Sequence, residues 1–179
     1  TSTYKSSCFR MIISIIVAIS KNQVIGKNNQ LIWHLPKDMK FFMDTTMNTV
    51  VIMGRKNYES IPKKYRPLKN RKNVIITRNK SYKAENCVVV NSIDESLKFL
   101  TNVEKKEVFV IGGGEIYKKF LEKGLIDRMY ITHIDEHFDG DTFFPEINYS
   151  SWKSSEFLNH RKDEINPHDF KIMVYNKLN

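Results

Sequence analysis

Cysteine occurs only twice, at Cys8 and Cys87, and no CxxC spacing exists. This argues against a disulfide framework and makes the cytosol the expected compartment. The five histidines are scattered and no cluster of histidine and cysteine at ligand intervals appears, so no metal is expected. Long apolar runs are also missing. The longest, Met11 to Ile19, is interrupted by Ser14 and falls well short of the roughly 20 residues a spanning helix needs, so no membrane association is expected. There is no internal repeat, low-complexity tract or Pro/Gly-rich linker to divide the chain. One domain, residues 11–179, is therefore expected from a chain of 179 residues that is 41% hydrophobic. Thr1 to Arg10 place a basic residue directly before the apolar run, but no small-residue cleavage pattern follows. They read as an expression remnant or disordered leader.

The net charge of +9 favours anionic partners, either nucleic acid or phosphorylated small molecules. The basic residues spread from Lys21 to Lys177 without a dense tract, which offers little to a nucleic-acid face. A solubilising surface would have the same composition.

Ile12 to Ile19 is almost continuously apolar and β-branched, the pattern of a strand covered on both faces. Val50 to Met53, Val74 to Ile76, Val88 to Val90 and Val108 to Ile111 repeat it, separated by helix-start signals. Pro36 and Asp38 open a helix running to Met47, Ser92 with Glu95 forms a capping box for a second through Leu100, and Gly114 opens a third ending near Gly124. Met129 to Ile134, a segment near Phe157, and Phe170 to Tyr175 follow without room for crossover helices and are expected to be antiparallel. The fold class is thus α/β: a mixed, mostly parallel eight-stranded sheet with helices on both faces and an antiparallel C-terminal hairpin.

Three places carry chemistry. In Val108 to Tyr117 a buried strand passes through Gly112, Gly113 and Gly114 straight into a helix. Backbone can approach a ligand closely there, and the helix N-terminus suits a pyrophosphate. It is not the dinucleotide fingerprint of a Rossmann domain, whose third glycine would fall at Tyr117. A tight strand-to-helix turn with no ligand fits the same residues. In Val51 to Asn57 a strand ends at Gly54 and meets Arg55, Lys56 and a candidate helix-capping Asn57. With Arg78 after Thr77, two arginines stand where they could fork a 2′-phosphate, although each alone also reads as a solvated surface residue. In Leu31 to Phe42, Asp38 shares a helix face with Leu35 and Phe42. A first-turn acid complements the helix dipole without any ligand, but a carboxylate on an apolar face needs a partner or a proton. No Ser-His-Asp or Cys-His set assembles.

Taken in order, Val17-Ala18, Val24-Ile25-Gly26, Trp33-His34-Leu35-Pro36, Asp38, Met53-Gly54-Arg55, Glu59-Ser60-Ile61, Pro67-Leu68, Arg71-Lys72-Asn73, Gly112-Gly113-Gly114, Tyr117, Thr132-His133-Ile134 and Gly140-Asp141-Thr142 stand at family-like spacing. From Met11 onward the chain resembles dihydrofolate reductase of the bacterial chromosomal type. The resemblance implies NADPH-dependent reduction of 7,8-dihydrofolate to 5,6,7,8-tetrahydrofolate, in a monomer that needs no nucleic acid. It implies that Asp38 binds the pterin's amino-pyrimidine edge and assists protonation, with Thr132 and Trp33 supporting the chemistry. Ile16, Val17, Ala18, Phe42, Ile111 and Tyr117 would line the pterin pocket, Ser60, Ile61 and Leu68 would surround the rest of the substrate, and Arg71 would pair its glutamate carboxylate. For NADPH it points to Ala18, to Val24, Ile25, Gly26, Lys27, Asn28, Asn29, Gln30 and Leu31, to Gly54, Arg55, Lys56 and Asn57, to Thr77, Arg78 and Asn91, and to Gly112, Gly113, Gly114, Glu115, Ile116 and Tyr117. The Gly112–Gly113 peptide would be cis, and the loop with Leu31 and Trp33 would close as a lid. Ile32 stands where the family often has proline, Asn57 where it often has threonine, and Pro62 to Arg66 is lengthened and basic. Two further readings are a pyrimidine reductase of riboflavin synthesis, which leaves Arg71 and Asp38 without tasks, and a silent nucleotide-binding module, suggested only by charge.

Overall fold

The computed structural model describes residues 10–179, so Cys8 and residues 1–9 of the expected leader lie outside the described residues. The elements in chain order are β1 (Ile12–Ile19), β2 (Val24–Gly26), α1 (Pro36–Thr46), β3 (Val50–Gly54), α2 (Arg55–Ser60), β4 (Lys72–Ile76), β5 (Val88–Val90), α3 (Ile93–Leu100), β6 (Glu107–Gly112), α4 (Gly114–Glu122), β7 (Arg128–Ile134), β8 (Thr142–Phe143), β9 (Trp152–His160) and β10 (Phe170–Lys177). Eight strands form one sheet in the order β5-β4-β3-β6-β1-β7-β10-β9, and β2 pairs with β8 in a separate ribbon.

Strand direction departs from expectation at one place. β7 runs parallel to β1, with Ala18 beside Thr132, because α4 supplies the crossover between β6 and β7. The reversal begins only at β10, which is antiparallel to both β7 and β9. β8 is too short to show as a pattern in the sequence, and its partner β2 reads there as loop.

Alternation along β1 divides the core. Ile15 and Ile19 pack with Ile93, Leu100, Ile116 and Phe120 under α3 and α4. Ile16 faces the other way and packs with Met53, Tyr58 and Phe109, against Phe41 and Phe42 of α1. Helices therefore cover both faces. Ser92 caps α3 by accepting the Glu95 N–H at 3.0 Å, while the Glu95 carboxylate turns back to the Asn91 N–H at 2.6 Å rather than to Ser92 itself. No described helix is long and apolar enough to cross a membrane.

Phe120 is wholly buried beneath α4, so Phe120→Ala removes an aromatic ring that the packed core cannot replace. Equilibrium urea unfolding should show a loss of about 3–5 kcal/mol. A loss under about 1 kcal/mol would contradict this packing.

Candidate active site

The carboxyl ends of β3, β4 and β6 open onto a cavity of about 620 Å³. Its floor is Gly54, Gly113 and Gly114, its wall is Ile25, Gly26, Asn29, Gln30 and Leu31, and Arg55, Lys56, Asn57, Thr77, Arg78, Glu115 and Ile116 complete the rim. Most of the residues expected to hold the cofactor therefore converge. Ser60, Asn79, Lys119 and Thr142 also line it. Asn79 and Lys119 continue the strand-end and helix patterns already read at Arg78 and Glu115, one residue and one turn further on.

Two helices start at this cavity without side-chain caps, α4 after Gly113 and α2 after Gly54. Their first N–H groups remain available to an anion. Asn57 thus lies inside α2 rather than capping it, because Gly54 in extended conformation occupies the cap; the Asn57 side chain reaches across to the Ile111 carbonyl at 3.5 Å. Arg55 leans on Glu59 at 3.3 Å, whereas Arg78 enters no ion pair among the described residues. The Gly112–Gly113 peptide is cis. Gly112 has φ of +122°, and a Cβ there would meet Asn57 and the Tyr117 hydroxyl at 3.3 and 3.4 Å, so a side chain is disfavoured by both torsion and space.

A second cavity of about 190 Å³ adjoins the first and shares Ile25, Leu31, Asn57 and Gly113 with it. Ile16, Val17, Ala18, Trp33, Phe42, Ile111, Tyr117 and Thr132 line it as expected, together with Met39, Phe41 and Gly112. Asp38 projects into this largely apolar space from the first turn of α1. The Thr132 hydroxyl donates to its Oδ1 at 2.5 Å. Burial raises the Asp38 carboxyl to about 6, and the Thr132 hydrogen bond only partly offsets that rise. Tyr117 donates its hydroxyl to the Ile16 carbonyl at 2.9 Å, and burial keeps it un-ionised.

Several expected residues sit elsewhere. Ser60 belongs to the larger cavity, and its hydroxyl donates to the Asn57 carbonyl at 2.6 Å. Ile61 and Leu68 pack against the Met53, Tyr58 and Ile75 cluster because β3 and β4 leave an apolar face there. Arg71 lies beyond Phe42 at the far end of α1, donating to the Thr46 hydroxyl at 3.1 Å and the Lys69 carbonyl at 2.9 Å. Buried Asn73 fixes that approach through the Leu68 backbone and the Arg71 carbonyl. Ala18, Gly112 and Tyr117 lie in the smaller cavity rather than the larger one. Val24 is fully buried, while Lys27 pairs with Asp139, Asn28 donates its N–H to Asp141 at 2.9 Å, and Asn91 donates to the Thr77 carbonyl at 2.8 Å, all outside the cavity lining. Trp33 is 6% exposed and packs at a tilt on Phe138 at 5.2 Å, whereas Leu31 is 55% exposed. Within the expected lid, Leu31 is the exposed side chain and Trp33 the buried one.

A cation-rimmed cleft at strand ends, sharing a wall with a small apolar cavity that holds one carboxylate, is the kind of site that takes a phosphate-bearing ligand beside a smaller, largely apolar one. The family model described as dihydrofolate reductase matches residues 12–177, and the chain belongs to that family. It is 40% identical over 166 residues to dihydrofolate reductase of Staphylococcus haemolyticus, covering 93% of this chain and 96% of the relative. It is 41% identical over 167 residues to that of Bacillus subtilis (strain 168), covering 93% and 95%. A solved structure of dihydrofolate reductase from Enterococcus faecalis, complexed with NADP(H) and RAB-propyl, is 34% identical with a TM-score of 0.85, covering 94% of this chain and 97% of that one.

The Asp38 shift has a signed consequence for stability. A carboxyl raised from 3.8 to about 6 stabilises the fold fully below its unfolded value, and this contribution is lost as pH rises through about 6. The buried carboxylate then costs on the order of 3 kcal/mol. Asp38→Asn should accordingly exceed the parent in stability at pH 8 by about that amount, with the gap closing toward pH 4 in urea melts. A gap independent of pH would contradict the burial of the charge.

Proposed function

We propose that Asp38 and Thr132 form the reactive centre of an enzyme that reduces 7,8-dihydrofolate to 5,6,7,8-tetrahydrofolate with NADPH. The observation that carries this reading is the Asp38 carboxyl, raised to about 6, on the wall of an apolar cavity adjoining the cation-rimmed one.

The larger cavity suits NADPH. Its uncapped helix starts and bare glycine backbone fit a pyrophosphate, and Arg55, Lys56 and Arg78 fit a 2′-phosphate. When bound, NADPH supplies the hydride. Asp38 holds the amino-pyrimidine edge of the pterin through its carboxyl oxygens while Thr132 fixes the carboxyl's orientation. With a value near 6, about a tenth of the Asp38 groups carry a proton at pH 7, enough to serve as the source for the ring nitrogen, with water as carrier. Ile16, Phe42 and Ile111 exclude bulk water from the reacting face. Arg71, pinned to α1 by Thr46, takes the glutamate carboxylate at the other end of the substrate. Leu31 closes the shared wall. Membership of the dihydrofolate reductase family argues against the pyrimidine reductase reading, and a cytoplasmic location fits the near absence of cysteine.

Asp38→Asn should lower turnover at pH 7 by about 100-fold or more, followed by loss of the NADPH absorbance band, while leaving NADPH binding unchanged. Because the protonated form is the active one, parent turnover should fall as pH rises above about 6. Nearly unchanged turnover in the variant would remove Asp38 from the mechanism. Arg78→Gln should weaken NADPH about tenfold and NADH hardly at all in fluorescence titrations. Equal losses for both would place the 2′-phosphate elsewhere.

A further inference from the structure

We infer that Asn166, in the loop joining β9 to β10, is a positioning residue for Asp38; this rests on Asp38 being the reaction's acid. α1 has no cap of its own. Its N-cap residue is Leu35, which makes no side-chain cap hydrogen bond, and Pro36 follows. The missing acceptor comes from 129 positions away: Asn166 Oδ1 accepts the Lys37 N–H at 3.0 Å, one residue before Asp38. Asn166 is only 5% exposed.

The amide cannot turn freely. Asp163 Oδ1 and Oδ2 lie 3.2 and 3.3 Å from Asn166 Nδ2, so the nitrogen faces Asp163 and the oxygen faces Lys37. Asp163 also accepts the backbone N–H groups of Ile165 and Asn166 at 2.8 and 2.7 Å, and His160 holds it from behind at 2.7 Å. The amide is thus set by a carboxylate clamp within its own loop.

The same loop grips the site twice more. His168 meets Phe138 edge to face at 5.1 Å, and Phe138 packs at a tilt on Trp33 at 5.2 Å. The Asp169 carbonyl accepts the Asp135 N–H at 2.9 Å, just past the end of β7, and Ile172 pairs with Thr132 in the sheet. One loop therefore ties down α1, which carries Asp38, and β7, which carries Thr132. The 2.5 Å hydrogen bond between those side chains spans the two elements, so its length depends on their spacing. An amide suits this duty because it offers an acceptor without adding a second negative charge beside Asp38.

The test uses Asn166→Ala, which deletes the acceptor, and Asn166→Ser, which keeps a neutral one. With NADPH-loaded enzyme mixed with saturating dihydrofolate, Asn166→Ala should slow single-turnover hydride transfer about tenfold at unchanged NADPH affinity, and Asn166→Ser should restore part of the rate. A folded Asn166→Ala protein with a rate within about twofold of the parent, or a Ser variant that recovers nothing, would overturn the assignment. Should Asn166→Ala fail to fold, Asp163→Ala removes the carboxylate that sets the amide and leaves Asn166 in place. Slower transfer at unchanged NADPH affinity would support the assignment, and an unchanged rate would overturn it. These outcomes are separate from Asp38→Asn, whose retained turnover would overturn the underlying reading instead.

Discussion

The hydrogen bond from Thr132 to Asp38 joins a helix to a strand 94 positions away, inside a cavity where the carboxylate finds little else polar. A charge in that position is costly, and the cost appears as a carboxyl raised to about 6. The protein tolerates it because the surroundings are built around it. α1 must lie across the sheet so that its first turn reaches β7, and β1 must run between β6 and β7 so that Ile16 and Ala18 close the space beside Thr132. A stronger partner, such as a lysine or arginine, would satisfy the carboxylate and hold its pKa down. The Thr132 hydroxyl only partly offsets the burial, so the carboxyl stays raised.

The sheet order makes the two cavities adjacent. β6 stands beside β1, so the glycine turn after β6 lies next to the β1 residues that line the smaller cavity. One turn thus meets both spaces: Gly112 and Gly113 line the smaller cavity, and Gly113 and Gly114 the larger. The charges sort accordingly. Arg55, Lys56 and Arg78 collect at the large cavity, and apolar side chains dominate the small one.

The central part of this arrangement was legible in the residues. β-branched runs marked the buried strands, Ser92 and Pro36 marked helix starts, and glycines at strand ends marked the places where backbone meets ligand. The direction of β7 was not, because the rule that separates parallel from antiparallel needs the crossover counted on the correct side, and α4 serves β7. Ile61 and Leu68 do not line either cavity, but they pack on the same apolar cluster as Ile16, Phe41, Phe42 and Ile111, which line the smaller one. Asn166 left one indirect sign. A helix that begins at Leu35 and Pro36 has no local cap, so a distant acceptor is required.

Ile25, Leu31, Asn57 and Gly113 line both cavities and so mark the plane where cofactor and substrate would meet. Ile25 lies on the β2–β8 ribbon, which packs near the glycine turn: a Cβ on Gly114 would come within 3.0 Å of the Phe143 carbonyl. Leu31 follows that ribbon on an exposed stretch and leads into buried Trp33. Leu31 is thus the solvent-facing member of the shared wall, while Trp33 and Leu35 are buried along the stretch that leads into Asp38. The exposed cover and the acid lie seven residues apart, separated by that buried anchor.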